Sequence, residues 1–170
     1  MIVKTLVENT VISDEFKSEH ELSLYIETKQ HKLLFDLGAS ALFVENAIKL
    51  GVDLSDVDLV VISHGHYDHG GGLKAFLRIN SKAKIYLHKK VFDKHYANRM
   101  SGEKAYIGLD ERLMFNDRFI YVGDQMVIDE KMALFANVER RRLNPSGNQD
   151  LFTVLGTSLV QDDFAHERHL

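Results

Sequence analysis

The stretch DLVVISHGHYDHGGGL, residues 58–73, joins a short apolar run to a polar cluster and three consecutive glycines. The run LVVI, residues 59–62, contains β-branched side chains and is bounded by Asp58 and Ser63. Such a run is typical of a strand that is buried on both faces of a sheet. We therefore predict that His64 lies where a buried strand ends.

Three histidines and an aspartate follow this strand within six positions. Alternate residues of an extended segment project to the same side, so His64 and His66 can converge on one ion, and Gly65 lets the backbone bend between them. Asp68 and His69 come next. Neutral imidazole and carboxylate are ligands that suit zinc, and also iron or manganese. A polar loop with solvated histidines is the alternative, but it does not explain so many ligands beside glycines.

The glycines at residues 70–72 lead into a predicted helix that carries Leu73, Phe76 and Leu77 at helical spacing. The free amides and the dipole at the start of a helix favour an anion or a metal-bound hydroxide nearby. The sequence therefore predicts a strand-to-helix turn that holds metal ligands.

The segment HGHYDH, residues 64–69, matches the His-x-His-x-Asp-His signature of the metallo-β-lactamase fold superfamily. Together with the flanking DLVVI and GGGL, it resembles the branch of metal-dependent hydrolases related to the dihydropterin ribofuranosyl-aminobenzene phosphate synthases of methanogens. The resemblance implies an α/β fold, namely the N-terminal part of an αββα sandwich with a mixed β-sheet and flanking helices. A single domain over residues 1–170 is expected.

The resemblance also implies a cofactor and a reaction. One or two zinc ions are expected, with manganese or iron as alternatives. His64 and His66 would hold the first ion, and Asp68 and His69 the second, with Asp68 also orienting a metal-bound hydroxide. That hydroxide would attack an ester, a phosphoester or a related small-molecule substrate.

The segment FDLG, residues 35–38, is similar to the Phe-Asp-Thr-Gly that precedes the first helix of the superfamily. The resemblance implies that Asp36 is a carboxylate that orients the metal loop from outside the ligand set. A simple aspartate in a turn after a strand is the alternative. Leu37 departs from the family's threonine, which removes one hydroxyl group there.

Composition limits the other classes of function. The chain has 170 residues, is 45% hydrophobic and carries a formal charge of −4. Its densest basic cluster is residues 140–142, which argues against a nucleic-acid surface. The absence of cysteine favours an intracellular, cytoplasmic location. No apolar segment reaches the length that spans a membrane, so no membrane association is expected.

Periodicity predicts the remaining elements. Strands are expected at residues 2–7, 22–27, 32–35, 83–88, 118–122 and 132–138, and helices at residues 40–50 and 91–98. Ser40 would cap the first of these helices and Gly51 would end it. Its predicted buried stripe consists of Ala41, Val44, Ala47 and Ile48.

Histidines outside the motif are predicted to contribute little. His88 ends a strand and has a small chance of facing the site, whereas His95 is expected to be solvated on a helix. The remaining four are predicted to be uninformative or to lie in a frayed tail, namely His20, His31, His166 and His169. Residues 101–110 and 139–150 are polar and are predicted to form irregular loops. The resemblance implies that the wider region, residues 99–151, lies near the substrate, so that Tyr106, Phe115 or Arg141 could contact it.

The resemblance covers only the first half of the family's fold. The family takes further ligands from a second half, in which a Gly-Cys-Ser-His-like turn, a bridging aspartate and a final histidine occur. The tail DDFAHERHL, residues 162–170, resembles the stretch that leads into that half. Two functions are therefore expected: a metal-dependent hydrolase, or a catalytically impaired half-domain that acts as a metal-binding or assembly module.

The missing half also predicts self-association. In the resembled fold the second half covers the sheet of the first, so an isolated first half would expose an apolar sheet face. Exposing about 600 Å² of apolar area at roughly 25 cal/mol per Å² would forgo about 15 kcal/mol. A homodimer is therefore expected.

Overall fold

The computed structural model describes residues 1–136 and 145–170. Its strands are β1 (Ile2–Val7), β2 (Ser23–Glu27), β3 (Lys32–Phe35), β4 (Leu59–Val61), β5 (Lys84–His88), β6 (His95–Asn98), β7 (Lys104–Tyr106), β8 (Phe119–Val122), β9 (Gln125–Asp129), β10 (Met132–Phe135), β11 (Leu151–Leu155) and β12 (Ser158–Gln161). Its α-helices are α1 (Leu42–Lys49), α2 (Tyr67–Gly70) and α3 (Leu73–Ile79). Among the described residues, no helix combines the length and apolarity needed to cross a membrane.

The central element is a six-stranded mixed sheet in the order β1-β2-β3-β4-β5-β8. The first three strands are antiparallel, and β3, β4, β5 and β8 run parallel. Strand β4 lies inside this sheet, and the four residues of the LVVI run are all buried. The prediction of a strand buried on both faces is therefore confirmed, as is the mixed α/β fold.

Helices cover one face of the main sheet. Val60 and Ile62 belong to a core that also includes Phe43 of α1 and Phe76 of α3. The helix α1 is rotated relative to the predicted stripe, because Phe43 and Asn46 are buried whereas Ile48 is 73% exposed. The side-chain amide of Asn46 donates hydrogen bonds to the carbonyls of Leu6 and Lys17, so this polar group can be buried. The apolar pattern of the helix alone predicts a polar residue such as Asn46 on the exposed side.

The opposite face of the sheet is covered by the β9–β10 hairpin. Leu33, Val61 and Tyr86 pack there with Leu134 of β10 into a second buried core. The expectation that this sheet face is left exposed is therefore wrong, since a local hairpin of the same chain takes part of the covering role. An exposed sheet face therefore no longer supports the prediction of a homodimer.

A second sheet has four antiparallel strands in the order β12-β11-β6-β7. The predicted helix at residues 91–98 is wrong, because β6 occupies its second half. Strand β6 pairs with β11 through His95, Tyr96 and Ala97, and with β7 through Tyr96, Ala97 and Asn98. Strand β11 is distant in sequence and β7 follows β6 after a short turn, and both satisfy backbone hydrogen bonds that a helix would have satisfied within itself. Strand β7 replaces part of the predicted loop at residues 101–110, and β11 and β12 lie where no element was predicted. Val138 and Arg141 lie outside the described residues.

Candidate metal centre

The parallel strands bring the polar motif to one edge of the main sheet. Asp36 follows β3, His64 follows the buried run of β4, and His88 ends β5. Close backbone approach fixes the turn after β4: a side chain at Gly65 would collide with the carbonyl of Val91 and would lie 2.8 Å from Nε2 of His95. The glycine therefore lets a strand end, a loop and a second-sheet histidine meet.

Asp36 ties the two ends of the metal loop together. Its carboxylate accepts hydrogen bonds from the Ser63 amide at 2.7 Å and from the Ser63 hydroxyl at 2.6 Å. It also accepts one from Nδ1 of His69 at 2.7 Å. These contacts connect Ser63 and His69, which lie at the two ends of the predicted metal loop, through one carboxylate. Asp36 holds this position at φ 57°, a left-handed backbone conformation.

His64 and His66 direct bare ring nitrogens at each other. Nδ1 of His64 lies 2.9 Å from the Ser63 hydroxyl, whose own proton goes to Asp36, so this Nδ1 is the protonated nitrogen. Nε2 of His66 faces the carboxylate of Asp162 at 3.4 Å, so this Nε2 carries the other proton. The lone pairs of His64 Nε2 and His66 Nδ1 then face each other at 3.2 Å.

This arrangement fits a divalent metal ion. Two nitrogens bonded to one tetrahedral zinc at 2.0–2.1 Å are separated by roughly 3.3 Å. Burial, with the neighbouring rings of His69 and His66, holds the pKa of His64 well below its usual value and keeps the ring neutral. A neutral ring is the form that binds metal.

Asp162 is a hydrogen-bond hub that sequence analysis missed. Its Oδ2 lies 3.4 Å from Nε2 of His66, 3.2 Å from Nδ1 of His95 and 3.1 Å from Nε2 of His166. All four side chains are buried, and their ligand atoms lie within 4.8 Å of one another. Histidine and aspartate are residue types that bind divalent metals, so this cluster offers either an ion or shared protons.

The tautomer of His166 favours shared protons in this cluster. Nδ1 of His166 accepts a hydrogen bond from the amide of Gly65 at 2.8 Å, so its Nε2 carries the proton that points at Asp162. Oδ1 of Asp162 accepts from the Phe164 amide at 2.8 Å. Burial raises the pKa of Asp162. The hydrogen bonds from His166, His66 and His95 lower this pKa by more than burial raises it, so the carboxylate stays charged.

The expectations for His95 and His166 are therefore wrong. His95 lies on a buried strand because β6 pairs with β11, and His166 is held by Gly65 and Asp162. No local sequence pattern reveals the hub, since its histidines and aspartate lie between 29 and 100 residues from one another except for the pair at positions 162 and 166. Asp162 and His166 share a helical spacing of four, which was the one available signal.

A second polar group lies beside the motif. His20, Glu21 and Asp68 bring ligand atoms within 4.8 Å of one another. Glu21 also contacts His69, whose Nε2 lies 3.2 Å from the carboxylate. Burial lowers the pKa of His69, but the hydrogen bonds to Asp36 and Glu21 outweigh it and raise that pKa to about 10. His20, predicted to be uninformative, is therefore part of the site.

A pocket of about 500 Å³ opens over these residues. The polar groups on its wall are contributed by His20, Glu21, His64, His66, Asp68, His69, Arg99 and Asn148, and the apolar ones include Ala97, Ile107, Leu151 and Phe164. A pocket with convergent polar groups on a partly apolar wall is the usual form of a small-molecule site.

Other predicted candidates lie off this pocket wall. His88 is buried, and neither of its ring nitrogens has a hydrogen-bond partner among the described residues. Burial and the nearby Arg168 lower the pKa of His88 to about 4, so the ring is neutral. Tyr106 donates a hydrogen bond to the carbonyl of Leu109, and Phe115 is almost fully exposed.

Known proteins are similar to this chain in sequence. A family model described as the metallo-β-lactamase superfamily matches residues 19–145. An uncharacterised protein of Methanocaldococcus jannaschii is 34% identical over 76% of this chain and 48% of its own length. The 7,8-dihydropterin-6-methyl-4-(β-D-ribofuranosyl)-aminobenzene-5′-phosphate synthase of the same organism is 32% identical over 56% of this chain and 35% of its own length.

One solved structure resembles nearly the whole chain. The crystal structure of Tm1679, a metal-dependent hydrolase of the β-lactamase superfamily, matches with a TM-score of 0.76 and 32% identity. The match covers 98% of this chain and 59% of Tm1679. The chain thus spans about half the length, or less, of the curated relatives above. The match to the family model over most of the chain, and the shared fold, show that this protein belongs to the metallo-β-lactamase superfamily.

Proposed function

We propose that the protein is a metal-dependent hydrolase that acts on an ester, a phosphoester or a related small molecule. The observation that carries this proposal is the pair of bare nitrogens on His64 and His66, which face each other at 3.2 Å with both of their protons directed elsewhere. Such a pair is electrostatically unfavourable without a cation between them. The pocket beside them supplies the space for a substrate.

The chain's own residues would perform distinct tasks. His64 and His66 would hold the first ion, and Asp68 with His69 the second. Zinc is the proposed metal, with manganese or iron as alternatives. When bound, such ions lower the pKa of water and polarise the scissile group. Asp68 has a buried oxygen with no hydrogen-bond partner among the described residues, so its Oδ1 is available to orient a nucleophilic water.

A metal-binding assay and a hydrolysis assay test this proposal. Calorimetric zinc titration should show at least about 10-fold weaker binding in His64→Ala than in the unaltered chain, because the facing pair is lost. His169→Ala is the control, since His169 is partly exposed and lies outside the pocket. His20→Ala is unsuitable as a control because His20 lies on the pocket wall. Equal zinc affinity in all three proteins would contradict the proposal.

Turnover should depend on Asp68. Hydrolysis of generic phosphoesters and lactones is measured with zinc and with manganese, and Asp68→Asn should lose most of the rate because the side chain keeps its size but loses its negative charge. Asp163→Asn, which changes an exposed carboxylate, should keep the hydrolysis rate of the unaltered chain. An Asp68→Asn protein with near-normal turnover would exclude Asp68 from the reaction.

A catalytically impaired half-domain is the second candidate. The observation that favours it is that residues 64–69 offer each proposed ion only two ligands, whereas catalytic zinc usually has three. Such a protein would bind metal through His64 and His66 but would show no turnover of any substrate. Zinc binding without hydrolysis in the assays above would support this candidate over the first.

A further inference from the structure

Two side chains outside the His-x-His-x-Asp-His motif lie at the second pair of predicted ligands. Glu21 and His20 come from the loop before β2, and Asp68 and His69 come from α2. Glu21 lies between two histidines: its Oε2 is 3.2 Å from Nε2 of His69, and its Oε1 is 3.1 Å from Nε2 of His20. Oδ2 of Asp68 is 3.8 Å from the same nitrogen of His20.

We infer that the Glu21 carboxylate, together with His20, binds the divalent ion that Asp68 and His69 hold. This inference rests on the proposed metal-dependent function and names two ligands beyond the motif. Among the motif residues of the described chain, Asp68 and His69 give this ion two ligands, and catalytic zinc usually has three. Glu21 and His20 bring the set to four donors.

The geometry of His69 directs one nitrogen at this site. Asp36 accepts the Nδ1 proton of His69 at 2.7 Å, so Nε2 is the nitrogen that faces Glu21. This Nε2 lies 3.2 Å from the Glu21 carboxylate, and two ligands of one tetrahedral zinc are separated by roughly 3.3 Å. An ion can therefore replace a proton between these two atoms with little movement of either side chain.

Asp68 and the backbone at Glu21 provide independent support. Oδ1 of Asp68 is buried and has no hydrogen-bond partner among the described residues, although its neighbours are potential metal ligands. Glu21 adopts φ 78°, which favours glycine, and its amide is held by Oδ1 of Asn9 at 2.9 Å. This turn places the Glu21 carboxylate between His20 and His69.

Manganese counting tests the inference on the 170-residue chain. Metal-free protein is dialysed against Mn²⁺, bound metal is counted by mass spectrometry, and free Mn²⁺ is followed by electron paramagnetic resonance. The unaltered chain should bind two ions. Glu21→Gln should retain one ion and bind the other at least about 10-fold more weakly. Glu21→Gly should show the same loss, and glycine adopts this backbone conformation without strain, so misfolding does not explain the result.

Matched variants separate this inference from the function on which it rests. Glu15→Gln removes an exposed carboxylate of the same loop and should keep two ions. His64→Ala should lose the other ion and keep the one at Glu21. If Glu21→Gln and Glu21→Gly bind manganese with the stoichiometry and affinity of the unaltered chain, the inference is overturned while the proposed function stands. An unaltered chain that binds no ion overturns both.

Discussion

Asp162 contacts His66, one of the proposed metal ligands, from outside the proposed ligand set. Its carboxylate faces Nε2 of His66, which fixes the proton there and leaves Nδ1 bare toward His64. Carboxylates that accept the second ring proton of a ligating histidine orient the ring and raise its basicity. His166 adds a link between the same carboxylate and the Gly65 amide, so the tail of the chain supports the metal loop directly.

This role predicts a measurable loss in Asp162→Asn. The variant keeps the shape of the side chain but loses the charge that accepts three imidazole protons, so zinc affinity should fall about 10- to 100-fold. The measurement is calorimetric titration, with circular dichroism to confirm that both proteins are folded. Asp163→Asn is the matched control, because this neighbouring carboxylate is exposed and accepts only a local bond from the Ala165 amide in the described contacts. Identical affinities in the two variants would show that Asp162 does not act on His66.

At the residue scale, the sequence predicts candidate site residues that are close together in the chain, and it misses those that only the fold brings together. His64, His66, Asp68 and His69 lie within six positions, so their spacing predicts them as ligands without a structure. The sequence does not predict the position of His95, because its flanking residues have helical character and its strand forms only by pairing with β11, more than 50 residues away. The conformation that brings Glu21 to His69 is a backbone property that composition does not encode.

At the scale of elements, the β9–β10 hairpin determines how the main sheet is covered. Leu134 of β10 is fully buried against Val61 and Tyr86 of the sheet. His31, in the turn before β3, connects the hairpin to the sheet through polar contacts. Its Nε2 lies 2.8 Å from Asp129 at the end of β9, and its Nδ1 lies 3.1 Å from Asp58 before β4.

The His31 bridge predicts a pH-dependent stability. Burial lowers the pKa of His31, but the bonds to Asp129 and Asp58 outweigh it and raise that pKa above the usual value of 6.5. A pKa raised on folding gives stability that is fully present below about 6.5 and is lost as the pH rises through the folded value. The difference in free energy of unfolding between the unaltered chain and His31→Asn should therefore shrink above neutral pH.

Urea unfolding at a series of pH values measures this difference. Because the bridge is only partly buried, added salt should also reduce it. Gln30→Asn, at the exposed position next to His31, changes no titratable group and should show no such pH-dependent difference from the unaltered protein. A constant difference between His31→Asn and the unaltered chain across the pH range would rule out a charged bridge.

The strands of the main sheet were predicted more reliably than the second sheet. β1, β3, β4 and β5 carry period-2 or continuous apolar patterns of their own, and each is found close to its predicted bounds. β7, β11 and β12 are short, polar or half-exposed, and they are stabilised by pairing with β6 or with each other. The run LFTVL of β11 is apolar and was a usable signal that was not assigned to a strand, whereas β7 (KAY) and β12 (SLVQ) are too short or too polar to form an apolar face.

At the scale of the whole molecule, apolar surface remains at the edge of the main sheet. Strand β1 is the first strand in the sheet order, so one of its sides has no strand partner among the described residues. Ile2 and Val3 on this strand are 50% and 52% exposed, and Ile12 in the following loop is 95% exposed. An open cavity of about 430 Å³ lies beside them, with Val11, Phe16 and other apolar side chains on its wall. Exposed edge strands of this kind pair readily with other chains.

This edge gives the predicted homodimer a reason that the covered sheet face does not. Two β1 strands can pair around a twofold axis and bury Ile2, Val3 and Ile12 of both chains, and a dimer at micromolar concentration requires about 8 kcal/mol of binding free energy. Burying a large apolar side chain fully contributes roughly 1.5–3 kcal/mol, so burying these six side chains contributes free energy of the required order.

Size exclusion with light scattering should therefore give about twice the chain mass of 19.4 kDa. Val3→Lys should shift the protein to the monomer, because it places a charge on the pairing edge, whereas Leu155→Lys, at a 70% exposed position on β11, should leave the dimer intact. A monomeric unaltered chain would show that the hairpin alone covers enough apolar surface, and a dimer that survives Val3→Lys would place the interface on another face.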